Sequence, residues 1–104
     1  MKVVEANQFQ RKFEKITKKV TQEIKDEIIK CIGDFCESPT APPDNLKDSI
    51  LVNKRLAKKY GKVRKFRAHH DYRIIYSINT DEEIITFLTI GHRKQIYKKG
   101  LKGL

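Results

Sequence analysis

The spacing of apolar residues changes along the chain, and each change marks a boundary between elements. Met1 to Val4 predicts a short first strand. Phe9, Phe13 and Ile16 then recur at steps of four and three, with Arg11, Lys12, Glu14 and Lys15 on the other face, as in an amphipathic helix. After Lys18 and Lys19, the positions Val20, Ile24, Ile28, Cys31 and Phe35 repeat at helical steps and predict a second helix, ended by Ser38-Pro39. Two helices joined so closely form a hairpin, and each has one apolar face that needs a cover.

Thr40 to Asn45, with Pro42 and Pro43, reads as an extended loop. Ile50, Leu51, Val52, Leu56 and Ala57 fit neither period well, and a short helix over 50–59 is the expectation there. Beyond Gly61 the period becomes two. Phe66 and Ala68 face one way and Lys65 and Arg67 the other; Tyr72, Ile74, Tyr76 and Ile78 alternate with Arg73, Ile75 and Ser77. An acidic turn, Asn79 to Glu83, leads to Ile84 through Ile90, apolar on both faces as in a central strand. The order predicts one α+β domain over residues 1–104: an N-terminal strand, then a two-helix hairpin packed on one face of a small antiparallel sheet. If Tyr72, Ile74, Tyr76 and Ile78 meet the helices, Arg73 emerges on the opposite, open face, with Lys65 and Arg67 beside it.

Composition narrows the class. The 104 residues are 38% hydrophobic and 35% charged, the balance of a soluble globular domain. No apolar run approaches the roughly 20 residues of a membrane span, and the start MKVVEANQF lacks a secretory apolar stretch, so a cytoplasmic protein without a membrane partner is expected. Cys31 and Cys36 suit neither a disulfide framework nor a four-ligand zinc site and read as reduced, core-facing thiols. The formal charge of +10 is unevenly spread: residues 1–45 hold eight basic and eight acidic residues, whereas residues 46–104 hold fifteen and five. Lysines merely decorating solvated faces would not partition in this way. The asymmetry points to a polyanion, nucleic acid before membrane, because neutralised phosphates release counterions.

The run Asp71-Tyr72-Arg73-Ile74-Ile75-Tyr76-Ser77-Ile78, followed after one turn by Ile90-Gly91-His92-Arg93-Lys94-Gln95-Ile96-Tyr97, resembles the C-terminal signature of the RelE/ParE toxin superfamily. The hairpin of residues 7–39 resembles that family's N-terminal half; residues 44–60 are longer than its pattern. The resemblance implies the toxin of a type II toxin–antitoxin pair: a metal-independent, ribosome-dependent endoribonuclease that cleaves mRNA, needs no small-molecule cofactor and is neutralised by a cognate antitoxin. It also implies a catalytic set of Arg73, Arg93 and Tyr97 with Lys65. A second family lysine aligns with Val63, a departure for which Arg64 and Arg67 are the candidate substitutes, and that lysine's role stays open here.

Attack by a ribose 2′-hydroxyl needs a proton acceptor, a proton donor for the leaving 5′-oxygen and positive charge on the phosphorane. Arginines supply that charge. A tyrosine, with an ordinary pKa near 10, serves as base only where neighbouring cations such as Arg93 or Lys65 favour its anion. A helical turn over 93–97 places Arg93 and Tyr97 on one face. His92 is the easier acid or base on intrinsic grounds, and the family pattern ranks Tyr97 above it. Lys54, Arg55, Lys58, Lys59, Lys62, Arg64 and Arg67, with Lys94 and Lys98, are expected to bind RNA phosphates rather than perform chemistry. Tyr72 and Tyr76 read as core, and adjacent His69 and His70 point apart, against a metal pair. Two other readings remain: a ParE-like inhibitor of DNA gyrase on the same fold, and a non-catalytic RNA-binding module.

Overall fold

The computed structural model describes all residues 1–104. In chain order it comprises β1 (Lys2–Glu5), α1 (Asn7–Lys19), α2 (Gln22–Glu37), β2 (Ser49–Ile50), α3 (Lys54–Tyr60), β3 (Lys62–His69), β4 (Tyr72–Asn79) and β5 (Ile84–His92). A 3₁₀ turn at Asp44–Leu46 precedes β2, and successive turns run from residue 93 to residue 103. No helix is long and apolar enough to cross a membrane.

The five strands form one sheet in the order β1-β5-β4-β3-β2. The sheet is mixed rather than wholly antiparallel, because β1 runs parallel to β5 with Val3 opposite Ile85. Tight turns force β3, β4 and β5 to alternate in direction. β1 reaches the sheet through the helical hairpin, a connection long enough for parallel pairing.

α1 packs on β5 and α2 on β3, so the hairpin covers one sheet face. The Thr21 hydroxyl accepts the Ile24 N–H and caps α2, which leaves Val20 in the link rather than in the helix. Phe35 stacks on Phe66 with centroids 4.5 Å apart and meets the edge of Tyr76, and Phe9 packs against Phe87. These rings and Ile28, Ile74, Ile85 and Ile90 form the main core, in which truncating one ring to alanine costs about 3–5 kcal/mol. Cys31 packs partly against this core, but Cys36 is exposed, contrary to the expectation of two core-facing thiols. Its place near the end of α2 turns it off the apolar stripe. Burial pushes both thiols above their ordinary pKa, with Glu27 adding at Cys31 and Glu5 at Cys36.

The opposite face is not open. Val63, Ile75 and Leu88 project from it and are covered by Leu56 of α3 and by Ile96, Leu101 and Leu104 of the C-terminal turns. Leu88 is the extra residue where the β4–β5 register slips between Ile75 and Tyr76. The helix expected over 50–59 begins only at Lys54, where Asn53 Oδ1 accepts the Leu56 N–H at 3.0 Å, and ends at Gly61 with φ 79°. Residues 49 and 50 instead pair with β3.

At the hairpin side of the sheet, Asp48 accepts the Tyr76 hydroxyl and pairs with Arg64 at 2.6 Å. Burial first, then the hydrogen bond to Asp48, pushes the Tyr76 phenol above its ordinary value. A raised folded-state pKa contributes stability that is complete below pH ~10 and is lost as pH rises through the folded value. Tyr76→Phe is therefore expected to cost about 2 kcal/mol in urea unfolding at neutral pH and to flatten the alkaline fall in stability. An alkaline slope equal to that of the unaltered protein would contradict this account.

Candidate active site on the second sheet face

Strand alternation places Lys65, Arg67 and Arg73 on the face that α3 and the C-terminal turns share; Arg67 lies opposite Arg73 and Lys65 opposite Ile75 in the β3–β4 register. The C-terminal turns fold back over this face because two glycines allow close approach. A Cβ at Gly91 would lie 3.3 Å from the Ile96 Cβ, and one at Gly100 would lie 2.7 Å from the Ile96 backbone. Ile96 anchors the turn, and its neighbour Tyr97 remains exposed with the Lys65 ammonium 4.5 Å from its ring centroid.

Arg73 is half-buried, and its Nη1 donates to the carbonyls of His69, His70 and Tyr72 at 2.8, 2.9 and 3.1 Å. Burial holds its guanidinium below its ordinary pKa; Tyr97 opposes the shift and Arg67 and Arg93 add to it, so Arg73 lies within electrostatic reach of all three. Arg93 donates from its backbone to the Asp71 carbonyl at 2.7 Å and lies with Nε 3.4 Å from the Asp71 carboxylate. Desolvation alone would raise that carboxyl. The Arg93 hydrogen bond and the charges of His70, His92 and Arg93 outweigh it and hold Asp71 below the ordinary carboxylate range.

His92 reaches the edge of this group, its Nε2 4.0 Å from the Asp71 carboxylate that Arg93 approaches. It lies opposite Tyr72 on the hairpin side, its ring edge-on to that tyrosine at 5.7 Å, and its Nδ1 accepts the Lys94 N–H at 3.1 Å. Val63 is buried beneath α3, so no side chain there reaches the surface. Of its two suggested substitutes, Arg64 points to the hairpin side and is held by Asp48, whereas Arg67 stands on the same face as Lys65.

The other basic residues divide three ways. Lys54, Lys58, Lys94 and Lys98 are exposed. Arg55 and Lys59 of α3 instead tie down the C-terminal segment, donating to the carbonyl oxygens of Leu101 at 2.8 Å and Leu104 at 2.6 Å, with Tyr60 also on Leu104. Lys62 lies opposite Ile78 and lines a groove on the hairpin side. His69 lies 3.2 Å from Glu27 of α2 and accepts the Asp71 N–H, because the slip between Arg67 and His69 turns it to the helices. No group of three or more His, Cys, Asp or Glu is placed to hold a metal ion.

The sequence matches the family described as ParE toxin of type II toxin-antitoxin system, parDE, over residues 4–97. The chain belongs to this family. No curated protein sequence matches it. Among solved structures, the toxin fold of this ParE-family member is similar to the E. coli DinJ-YafQ complex at 14% identity and TM-score 0.71, covering 91% of this chain and 96% of that one. It is also similar to the archaeal RelE-RelB complex from Pyrococcus horikoshii OT3 at 18% identity and TM-score 0.64, covering 90% and 96%. The YoeB/ParE toxin from Agrobacterium tumefaciens matches at 14% identity and TM-score 0.64, covering 88% and 98%. These likenesses establish the RelE/ParE fold.

In this ParE-family toxin, Tyr97 stands on a segment without regular hydrogen bonding, so its placement depends on what holds that segment. Arg55→Ala is expected to speed amide hydrogen exchange across residues 96–104 and to cost about 1 kcal/mol. Unchanged protection of those amides would show that the Leu101 bond does not hold the segment.

Proposed function

We propose that this toxin is a metal-independent endoribonuclease that cleaves mRNA on the ribosome. The observation that carries the reading is the Lys65 ammonium 4.5 Å from the Tyr97 ring centroid, with Arg73 within electrostatic reach of Tyr97, Arg67 and Arg93. In the reaction the 2′-oxygen bonds to phosphorus as its proton passes to the Tyr97 phenolate. The bond from phosphorus to the 5′-oxygen breaks, and the leaving oxygen takes a proton from Lys65. Arg73 and Arg93 stabilise the equatorial oxygens of the phosphorane, which demands fixed positive charge but no redox or Lewis-acid group. Lys65 stands over the tyrosine ring, 4.5 Å from its centroid, beside the reacting groups. The exposed Lys54, Lys58, Lys94 and Lys98 contribute phosphate contacts that position the strand. By analogy with the DinJ-YafQ and RelE-RelB complexes, the partner that silences the toxin is a cognate antitoxin.

Gyrase inhibition is the second reading, favoured by the match to a family described as ParE. It predicts loss of DNA supercoiling activity with intact mRNA, whereas the ribonuclease reading predicts the reverse.

Tyr97→Phe removes only an exposed hydroxyl and should leave the fold unchanged while slowing cleavage of translated mRNA by about a hundredfold or more; Lys65→Gln should do the same. Full activity in either variant would sink the assignment. Arg73→Ala is the less clean test, because it also frees three carbonyls of the β3–β4 turn.

A further inference from the structure

β1 pairs only with Ile84 to Phe87, so from Leu88 onward β5 has no strand neighbour on that side. α1 and the C-terminal turns flank this open edge and leave a cleft of about 370 Å³. Lys12, Lys15 and Lys19 line it from α1, Lys99 from the C-terminal turns, and the cross-strand neighbours Tyr72 and His92 from the sheet. The cleft contains no carboxylate, and none of its four lysines makes an ion pair. Glu14, the acid within α1, is instead bound by Lys18. Four unpaired ammonium groups converging on one cavity repel one another, a cost that a bound polyanion offsets.

We propose that this cleft is a second binding site for single-stranded RNA, in which the lysines hold phosphates and the Tyr72–His92 pair offers an aromatic surface to a base. Basic grooves interleaved with aromatic rings bind single strands without sequence preference. An acidic peptide would satisfy the charge but leave that aromatic surface without a planar partner. The site lies at the open edge of β5, neither Lys65 nor Tyr97 lines it, and it takes from the proposed function its choice of polyanion but none of its chemistry.

The test uses the full chain and fluorescent 2′-O-methyl oligouridylate, which lacks the attacking hydroxyl and is not cut, with affinity read by anisotropy across a salt series. In K12Q/K15Q/K19Q, affinity should fall about tenfold or more at low salt, and the slope of log affinity against log salt should shrink by about 2, at ~0.7 per phosphate contact. K12R/K15R/K19R should retain both, which separates charge from any disturbance of α1. An unchanged slope in the glutamine variant would overturn the proposal. So would loss of affinity for poly-glutamate with RNA binding intact, which would assign the cleft to an acidic protein segment. Lysine-dependent binding by a protein that cleaves no mRNA supports this site and removes only the ribonuclease reading. Tyr97-dependent cleavage with lysine-independent binding does the reverse.

Discussion

The sheet carries apolar side chains on both faces, and the helical hairpin can cover only one. Val63, Ile75 and Leu88 on the far face each gain about 1.5–3 kcal/mol from leaving water, and the only material left to cover them is the short α3 and the C-terminal turns. That requirement draws Ile96, Leu101 and Leu104 onto the sheet and brings the adjacent Tyr97 over Lys65. The proposed active site is thus a by-product of completing the second core. The residues that complete it, Leu56 and its helix neighbours Arg55 and Lys59, do not touch the reacting group.

The same geometry engages several of the basic residues with the protein itself. Arg64 neutralises a nearly buried Asp48, Arg55 and Lys59 satisfy carbonyls of an irregular segment, and Nη1 of Arg73 is occupied by the turn before β4. Positive charge therefore serves two ends, holding irregular backbone and facing solvent. Arg73 joins them: its anchored Nη1 fixes where the guanidinium stands, and the repulsion it bears from Arg67 and Arg93 is relieved when an anion enters. Asp71, held in its charged form, restrains Arg93 at the rim of the group without entering it.

The RelE/ParE fold is a frame on which different activities stand, so the architecture alone does not select among them. The second face of this chain carries a lysine against a tyrosine ring and two arginines side by side across a strand pair, with a third on the turn after β5. Val63 is buried beneath α3, and Arg67 lies opposite Arg73 on the same face as Lys65.

The sequence by itself determined the hairpin, the three long strands and the side on which Arg73 and Lys65 lie, because periods of 3.6 and two are local properties of the backbone. The run from Ile84 to Ile90, apolar on both faces, reads from the sequence only as a central strand, and the face opposite the hairpin reads as open. The tertiary structure alone decided what supplies that cover, that β1 runs parallel to β5, and that the basic run from Lys54 to Arg67 is divided between two faces and two roles. It also gathered Lys12, Lys15 and Lys19, from the half of the chain with no net charge, into one cleft with Lys99, and set His92 beside Tyr72. These outcomes depend on contacts between residues far apart in the chain and on slips of one residue in strand register, which reverse the direction of a side chain while leaving composition and local period unchanged.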